Sequence, residues 1–186
     1  NFQRNLNTGE VEVEERIIYH KTEYRERRNH YAFYASSDPM TGFDTDREAF
    51  LGLYNGLHNP EVVTRGASKN SMAHGWSPIA SHHISVELFP GESRDIMFVL
   101  GYVENPPDEK WTEPGIINKD IAKAMHHQFK HSRQVNGALA DLKDYWSGLL
   151  NTYRVEGLDP KLMRMVNTWN PYQCMITFNL SRSASY

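Results

Sequence analysis

Apolar and polar positions alternate with a period of two through the first half of the chain. Val11, Val13, Ile17 and Tyr19 are interleaved with polar residues, which predicts half-buried strands. The alternation loses phase at Ile17-Ile18 without a turn residue. Either the strand is bulged there, or a loop is missing near Glu15-Arg16. Residues 30–35 are rich in aromatics, with Tyr31, Phe33 and Tyr34, and also predict a strand. Ile84, Val86 and Leu88 alternate, Pro90-Gly91-Glu92 turns the chain, and Ile96, Phe98, Leu100 and Tyr102 alternate again. That pattern predicts a β-hairpin with one buried face. A sheet with one apolar face needs a second layer, so a β-sandwich is expected. Between these strands, residues 36–78 are polar and rich in turn formers, with a short helix expected over 46–55 behind an Asp46 cap.

The period changes after Asn105-Pro106-Pro107. Pro-Pro continues neither strand nor helix, so a domain boundary is expected there. Asn118 is positioned to cap a helix reaching about Phe129. A second helix begins near Ser132, with Val135, Ala138, Leu139, Leu142, Trp146, Leu149, Leu150 and Tyr153 on one stripe, and Gly157 is expected to stop it. Asp159-Pro160 opens a third helix, with Asp as cap and Pro at its first position. Its stripe is Leu162, Met165, Val166 and Trp169, and Pro171 kinks or ends it. The fold class is therefore α+β and multidomain.

Composition narrows the function classes. Of 186 residues, 39% are hydrophobic and 23% charged, and the net charge is −3. A chain this close to neutral carries no broad nucleic-acid footprint. The basic run Arg25, Arg27, Arg28 is matched by Glu23 and Glu26, which reads as a mixed solvated face. No apolar run has the length of a membrane span, and no signal-peptide pattern precedes the first strand. Cys174 is the single cysteine, so no internal disulfide forms and a reducing, cytoplasmic setting is expected. The chain starts at Asn1 without a methionine and reads as the middle of something longer.

Few residues suggest chemistry by spacing alone. His127 and His131 lie four apart, a spacing that can set two metal ligands on one helix face. No third ligand stands at a recognisable spacing, so a solvated or partly packed pair is expected and no metal. His82 and His83 point to opposite faces of a strand, one buried and one exposed. Cys174 lies in an apolar helical run and is expected in a core. No glycine-rich phosphate loop is present. Arg4 stands in the polar cluster Asn1-Phe2-Gln3-Arg4-Asn5, and Arg182 stands among serines in Asn179-Leu180-Ser181-Arg182-Ser183-Ala184-Ser185. Guanidinium and hydroxyls together suit an anion; the alternative is a capping arginine with turn-forming serines.

Four stretches carry a family resemblance. They are Gln3-Arg4-Asn5-Leu6-Asn7-Thr8-Gly9-Glu10, then Tyr19-His20-Lys21-Thr22-Glu23-Tyr24-Arg25, then Val99-Leu100-Gly101-Tyr102-Val103-Glu104-Asn105-Pro106, and Trp169-Asn170-Pro171-Tyr172-Gln173-Cys174-Met175-Ile176-Thr177-Phe178-Asn179-Leu180-Ser181-Arg182-Ser183-Ala184-Ser185. Spread along the whole chain, they closely resemble the cellobiose phosphorylases, in a group with chitobiose, cellodextrin and laminaribiose phosphorylases. The resemblance implies the last part of an N-terminal β-sandwich over residues 1–105. Helical linker follows over 106–157, and the first helix of an (α/α)6 catalytic barrel over 158–186. It implies reversible, inverting phosphorolysis of cellobiose to α-D-glucose 1-phosphate and D-glucose. Inorganic phosphate is the co-substrate, and no cofactor is needed. It further implies a homodimer, phosphate binding by Arg182, and sugar binding by Arg4 with Gln3 as a weaker neighbour. The sandwich loop would reach the partner subunit's site. The general acid is expected downstream of this chain, so these 186 residues alone are expected to be inactive and to fold poorly. Two alternatives stay open: a non-catalytic carbohydrate-binding or dimerisation sandwich module, and a relative acting on another β-linked disaccharide or on cyclic glucans.

Overall fold

The computed structural model describes residues 10–21, 29–74 and 77–181. It divides into two compact units, Asn1–Gln134 and Val135–Tyr186, treated separately below.

The first unit is built on a four-stranded antiparallel sheet. Its strands are β1 (Glu10–Glu14), β2 (Ile17–Lys21), β3 (His30–Ser36) and, from much later in the chain, β6 (Phe98–Glu104), in the order β1-β2-β3-β6. Glu14 pairs with Ile17, so residues 15 and 16 form a tight hairpin turn. The phase break is therefore a turn rather than a bulge. Glu15 takes φ 53°, a left-handed conformation usually given to Gly or Asn, which is why no turn residue announced it.

One face of this sheet forms the core. Ile17, Tyr19, Tyr31, Phe33, Ala35 and Val103 are buried together. Ile117 and Ala122 close over them, with Val99, Trp111 and Met125 at the rim. Burying a side chain such as Phe33 contributes about 1.5–3 kcal/mol. Phe33 pairs with Gly101, and a Cβ at Gly101 would come within 2.2 Å of the Phe33 ring. The large ring on β3 thus requires an absent side chain on β6.

The expected hairpin between residues 84–88 and 96–102 does not form. β6 pairs with β3. The preceding strand, β5 (Ser81–His83), pairs with β4 (Gly42–Asp44). The buried face of β6 is also the opposite one. Val103 is buried, whereas Phe98, Leu100 and Tyr102 are 49%, 79% and 58% exposed. Both sets are apolar, so alternation could not choose between them. The bulk of Tyr31 and Phe33 selects the smaller set, Val99, Gly101 and Val103.

The polar stretch before β5 is pinned rather than loose. The buried Asp44 carboxylate accepts from the backbone N–H of Lys69 and Ser71 and from the Ser71 hydroxyl at 2.6 Å. Thr45 Oγ1 donates to the Ser71 carbonyl and accepts from Ala73 N–H. Asp46 caps α1 (Arg47–Leu51) by accepting from Ala49 N–H, as its sequence predicts. A second short helix, α2 (Glu61–Arg65), follows.

β pairing continues past Pro107, where only helix was expected. β7 (Trp111–Glu113) and β8 (Ile116–Ile117) form a hairpin. α3 (Asp120–Gln128) then lays Ala122 and Met125 against the sheet. The N-cap is Lys119, without a capping side chain, and not Asn118 as expected; Asn118, one residue earlier, accepts from Asp120 N–H at 3.0 Å.

α4 (Ser132–Leu150) begins where predicted and stops before Gly157. The Thr152 hydroxyl takes the Leu149 carbonyl at 2.7 Å, closing the helix end early. In the second unit Asp159 caps α5 (Pro160–Arg164), accepting from Lys161 and Leu162 N–H. A π-helical turn, Met165–Trp169, leads directly into α6 (Asn170–Ser181). Pro171 explains the wide turn, because its ring removes one bond and crowds the Asn167 carbonyl. Asn170 N–H bonds to the Met165 carbonyl, five residues back. The next such bond would need an N–H at Pro171. The Tyr153 hydroxyl donates to the Val166 carbonyl instead, at 3.1 Å. Asn167 adds a two-bond clip to the Val155 backbone at 2.7 and 2.8 Å.

Candidate functional site

Gln3, Arg4 and Arg182 lie outside the described residues; α6 runs to Ser181, the residue before Arg182. The basic run at Arg25, Arg27 and Arg28 lies outside them too. No cluster of three or more metal-ligating side chains occurs among the described residues. None of their helices is long and apolar enough to cross a membrane. Cys174 is exposed rather than buried, because no described element covers that side of α6. His82 and His83 are both half-buried, not one in and one out, since β4 and the aromatic residues of the sheet flank the short β5.

Two clefts among the described residues bear on function, both in the first unit. The first is bordered by an ionic ladder. Glu10, Glu12 and Glu14 alternate along β1 and so share one face. The nearly buried Lys21 ammonium pairs with Glu10 at 2.9 Å and Glu12 at 2.7 Å, and donates to the Gly115 carbonyl. Lys119 pairs with Glu12 at 2.6 Å and Glu14 at 2.9 Å, and Lys123 with Glu14 at 2.5 Å. Burial by itself would raise the Glu12 carboxyl, but Lys119 and Lys21 outweigh it and hold it below its ordinary value. Lys123 and Lys119 hold Glu14 down as well. Burial opposes charge on Lys21 and Lys119, yet their carboxylate partners raise both. The ladder fastens β1 to the β8–α3 segment. Beside it a cleft of about 330 Å³ is lined by Glu14, Arg16, Lys123, His126, His127 and Lys130, among others. Its polar groups are largely engaged: Arg16 donates to the Ser37 carbonyl, and His126 Nε2 bonds to the Ser36 carbonyl at 2.8 Å.

The second cleft holds about 390 Å³ between the outer face of the sheet and α1. Tyr34 from β3 and Phe98 from β6 stack in parallel, 5.6 Å apart with 8° between planes. The His82 ring lies 4.7 Å from Tyr34. Arg47, Phe50, Leu51, Leu57, Ile79, Ala80 and Ser81 complete the lining. Both ring nitrogens of His82 are shut off from solvent, with the Tyr34 backbone beside the ring. Burial, reinforced by His126, lowers the ring to about 4, against a backbone contact at Tyr34 that pulls the other way. His82 is therefore neutral at pH 7. Sequence reasoning missed this cluster, because its members are contributed by β3, α1, β5 and β6.

Residues 1–132 match the family model described as glycosyl hydrolase 94, supersandwich domain. Residues 145–186 match the one described as glycosyl hydrolase 94 superfamily, catalytic domain. An N,N'-diacetylchitobiose phosphorylase of Vibrio furnissii is 26% identical over 177 residues, covering 89% of this chain and 20% of that protein. A cyclic beta-(1,2)-glucan synthase of Rhizobium meliloti is 27% identical over 156 residues, covering 83% of this chain and 5% of the synthase. A 3-O-beta-D-glucopyranosyl-beta-D-glucuronide phosphorylase of Paenibacillus borealis is 23% identical over 148 residues, 80% of this chain and 17% of that protein. The chain spans a fifth or less of the length of these relatives.

Proposed function

Because this chain belongs to the glycosyl hydrolase 94 family, we propose that the polypeptide carrying it is a disaccharide phosphorylase. Its reaction is reversible conversion of cellobiose and phosphate to α-D-glucose 1-phosphate and D-glucose. One observation carries this reading. A supersandwich domain and the opening of a catalytic domain follow each other on one chain, and the second ends in the Ser181-Arg182-Ser183 motif. Relatives named as phosphorylases support it.

The chemistry is that of an inverting glycosidase with phosphate in place of water. A carboxylic acid protonates the glycosidic oxygen while a phosphate oxygen attacks the anomeric carbon from the opposite face. The carbon–oxygen bond to the leaving glucose breaks as the bond to phosphate forms. Phosphate is already nucleophilic, so the site needs cations and hydroxyls to hold it in line rather than a second carboxylate. Arg182 with Ser181 and Ser183 supplies such a cradle. Arg4, with Gln3, holds the acceptor sugar and acts from the partner subunit of a homodimer. The general acid belongs to the catalytic barrel beyond these residues, and the enzyme works in the cytoplasm without a cofactor.

The test is phosphate-dependent formation of glucose 1-phosphate by the intact polypeptide that carries this chain. Cellobiose, cellotriose, laminaribiose and chitobiose are compared. Cellobiose should give the highest kcat/KM, and Arg182→Ala should cost about 10²–10³ in kcat. Preference for another disaccharide would remove cellobiose from the proposal. Transfer between glucans with no sugar phosphate formed would favour the second reading, a glucan synthase, which the match to the Rhizobium meliloti protein motivates. Mixing Arg4→Ala subunits with subunits lacking the acid tests the placement in trans: activity should return in the mixed dimer, and its absence rules that placement out.

A further inference from the structure

We propose that the cleft between the sheet and α1 is a saccharide-binding site in the supersandwich domain, which seats one pyranose ring on Phe98, backed by Tyr34, and holds its hydroxyls with Arg47 and Ser81. Only the class of ligand rests on the function proposed above; the site itself rests on geometry.

The volume, about 390 Å³, falls within the ~300–1,000 Å³ of typical small-molecule sites. The Phe98 ring stacks in parallel on Tyr34, 5.6 Å away, and leaves 49% of its residue surface open, so it can take a sugar ring. The C–H face of a pyranose is weakly positive and fits the negative face of an aromatic ring. The Ser81 hydroxyl in the lining both donates and accepts, which matches sugar hydroxyls that both give and accept. Arg47 is exposed at the start of α1, and its guanidinium adds donors.

The experiment is hydrogen–deuterium exchange of the intact polypeptide, read by mass spectrometry over residues 79–83 and 97–100, with and without cellobiose. Phosphate is omitted, so turnover does not enter. Cellobiose should slow exchange in both segments at least about threefold. Phe98→Ala should abolish the response and Phe98→Trp, which restores a platform, should keep it. Arg47→Met alters an exposed residue without disturbing the sheet, and should weaken the apparent Kd about tenfold, the loss of one charged hydrogen bond. The proposal is overturned if wild-type exchange ignores cellobiose, including the case where another part of the polypeptide already covers the cleft. It is also overturned if Phe98→Ala and Arg47→Met both respond like wild type. Loss of phosphorolysis on every disaccharide with the cleft still protected would overturn the proposed function and leave this inference standing.

Discussion

The two units of this chain are stabilised by different means. In the first, aromatic and aliphatic side chains of four strands are buried against one another. In the second, no described residue is buried; Leu139, Leu142, Leu162 and Phe178 are all more than half exposed. Beyond an aromatic cluster of Trp146, Trp169 and Tyr172, what orders the second unit is polar and local. Asp159 caps one helix, Tyr153 replaces the bond that Pro171 cannot make, and Asn167 clips the Val155 backbone. Polar clips fix geometry but contribute little net stability, about 0.5–1.5 kcal/mol each. Core burial supplies cooperativity. In the function proposed above, further barrel helices cover the apolar stripe of α4 and α6. The first unit carries its own core, and the second carries the shape of a layer awaiting one.

Breaking that contrast starts at Phe33. Phe33→Ala should cost about 3–5 kcal/mol, measured as faster amide exchange across β2, β3 and β6 of the intact polypeptide, with residues 151–170 unaffected. Loss of protection in both regions together would show one cooperative unit rather than two. Next, Lys21→Met leaves Glu12 facing the core with Lys119 as its remaining partner. With Glu10 well exposed and screened, the expected cost is about 2–3 kcal/mol, confined to β1 and β2. Acid should then separate the units by titration. Burial holds His20, His82 and His126 below their ordinary range, so each protonates more readily unfolded than folded. Their stabilising effect is present above about pH 6.5 and fades as pH falls, for His82 towards about 4. Glu12 and Glu14, also depressed, add a further loss below about pH 4.3. All nine histidines precede residue 132, so between pH 6.5 and 4.5 exchange should quicken in the first unit alone, by on the order of 1 kcal/mol after solvent screening. The smallest effect is Asp159→Ala, about 0.5–1 kcal/mol for a lost cap, seen only as fraying of α5.

Local chemistry was legible in the sequence where it acts within a few residues. Asp46 and Asp159 cap the helices they were expected to cap, and Ser132 starts α4, because each signal and its effect lie within one turn. Partners distant in sequence were not legible. Alternation in residues 96–102 marks a strand, but it does not say that β3 is its neighbour or that Val103, not Leu100, faces inward. Glu10, Glu12 and Glu14 visibly share a face, yet their lysines come from positions 21, 119 and 123. Of the candidate sites, Gln3, Arg4 and Arg182 rest on motif resemblance and lie outside the described residues. The aromatic cleft has no motif at all, since four elements supply it.

The pairing of β3 with β6 has a consequence for how the protein is made. His30 and Tyr102, side by side in the sheet, are 72 residues apart. At about 5–20 residues per second, a ribosome needs roughly 4–14 s to deliver that span. Through this interval the nascent chain displays Tyr31 and Phe33 on a strand whose outer edge has no neighbour, the kind of edge that recruits other chains. The newborn sheet is thus exposed to misassociation for seconds before β6 emerges, and a co-translational chaperone would find its binding window there.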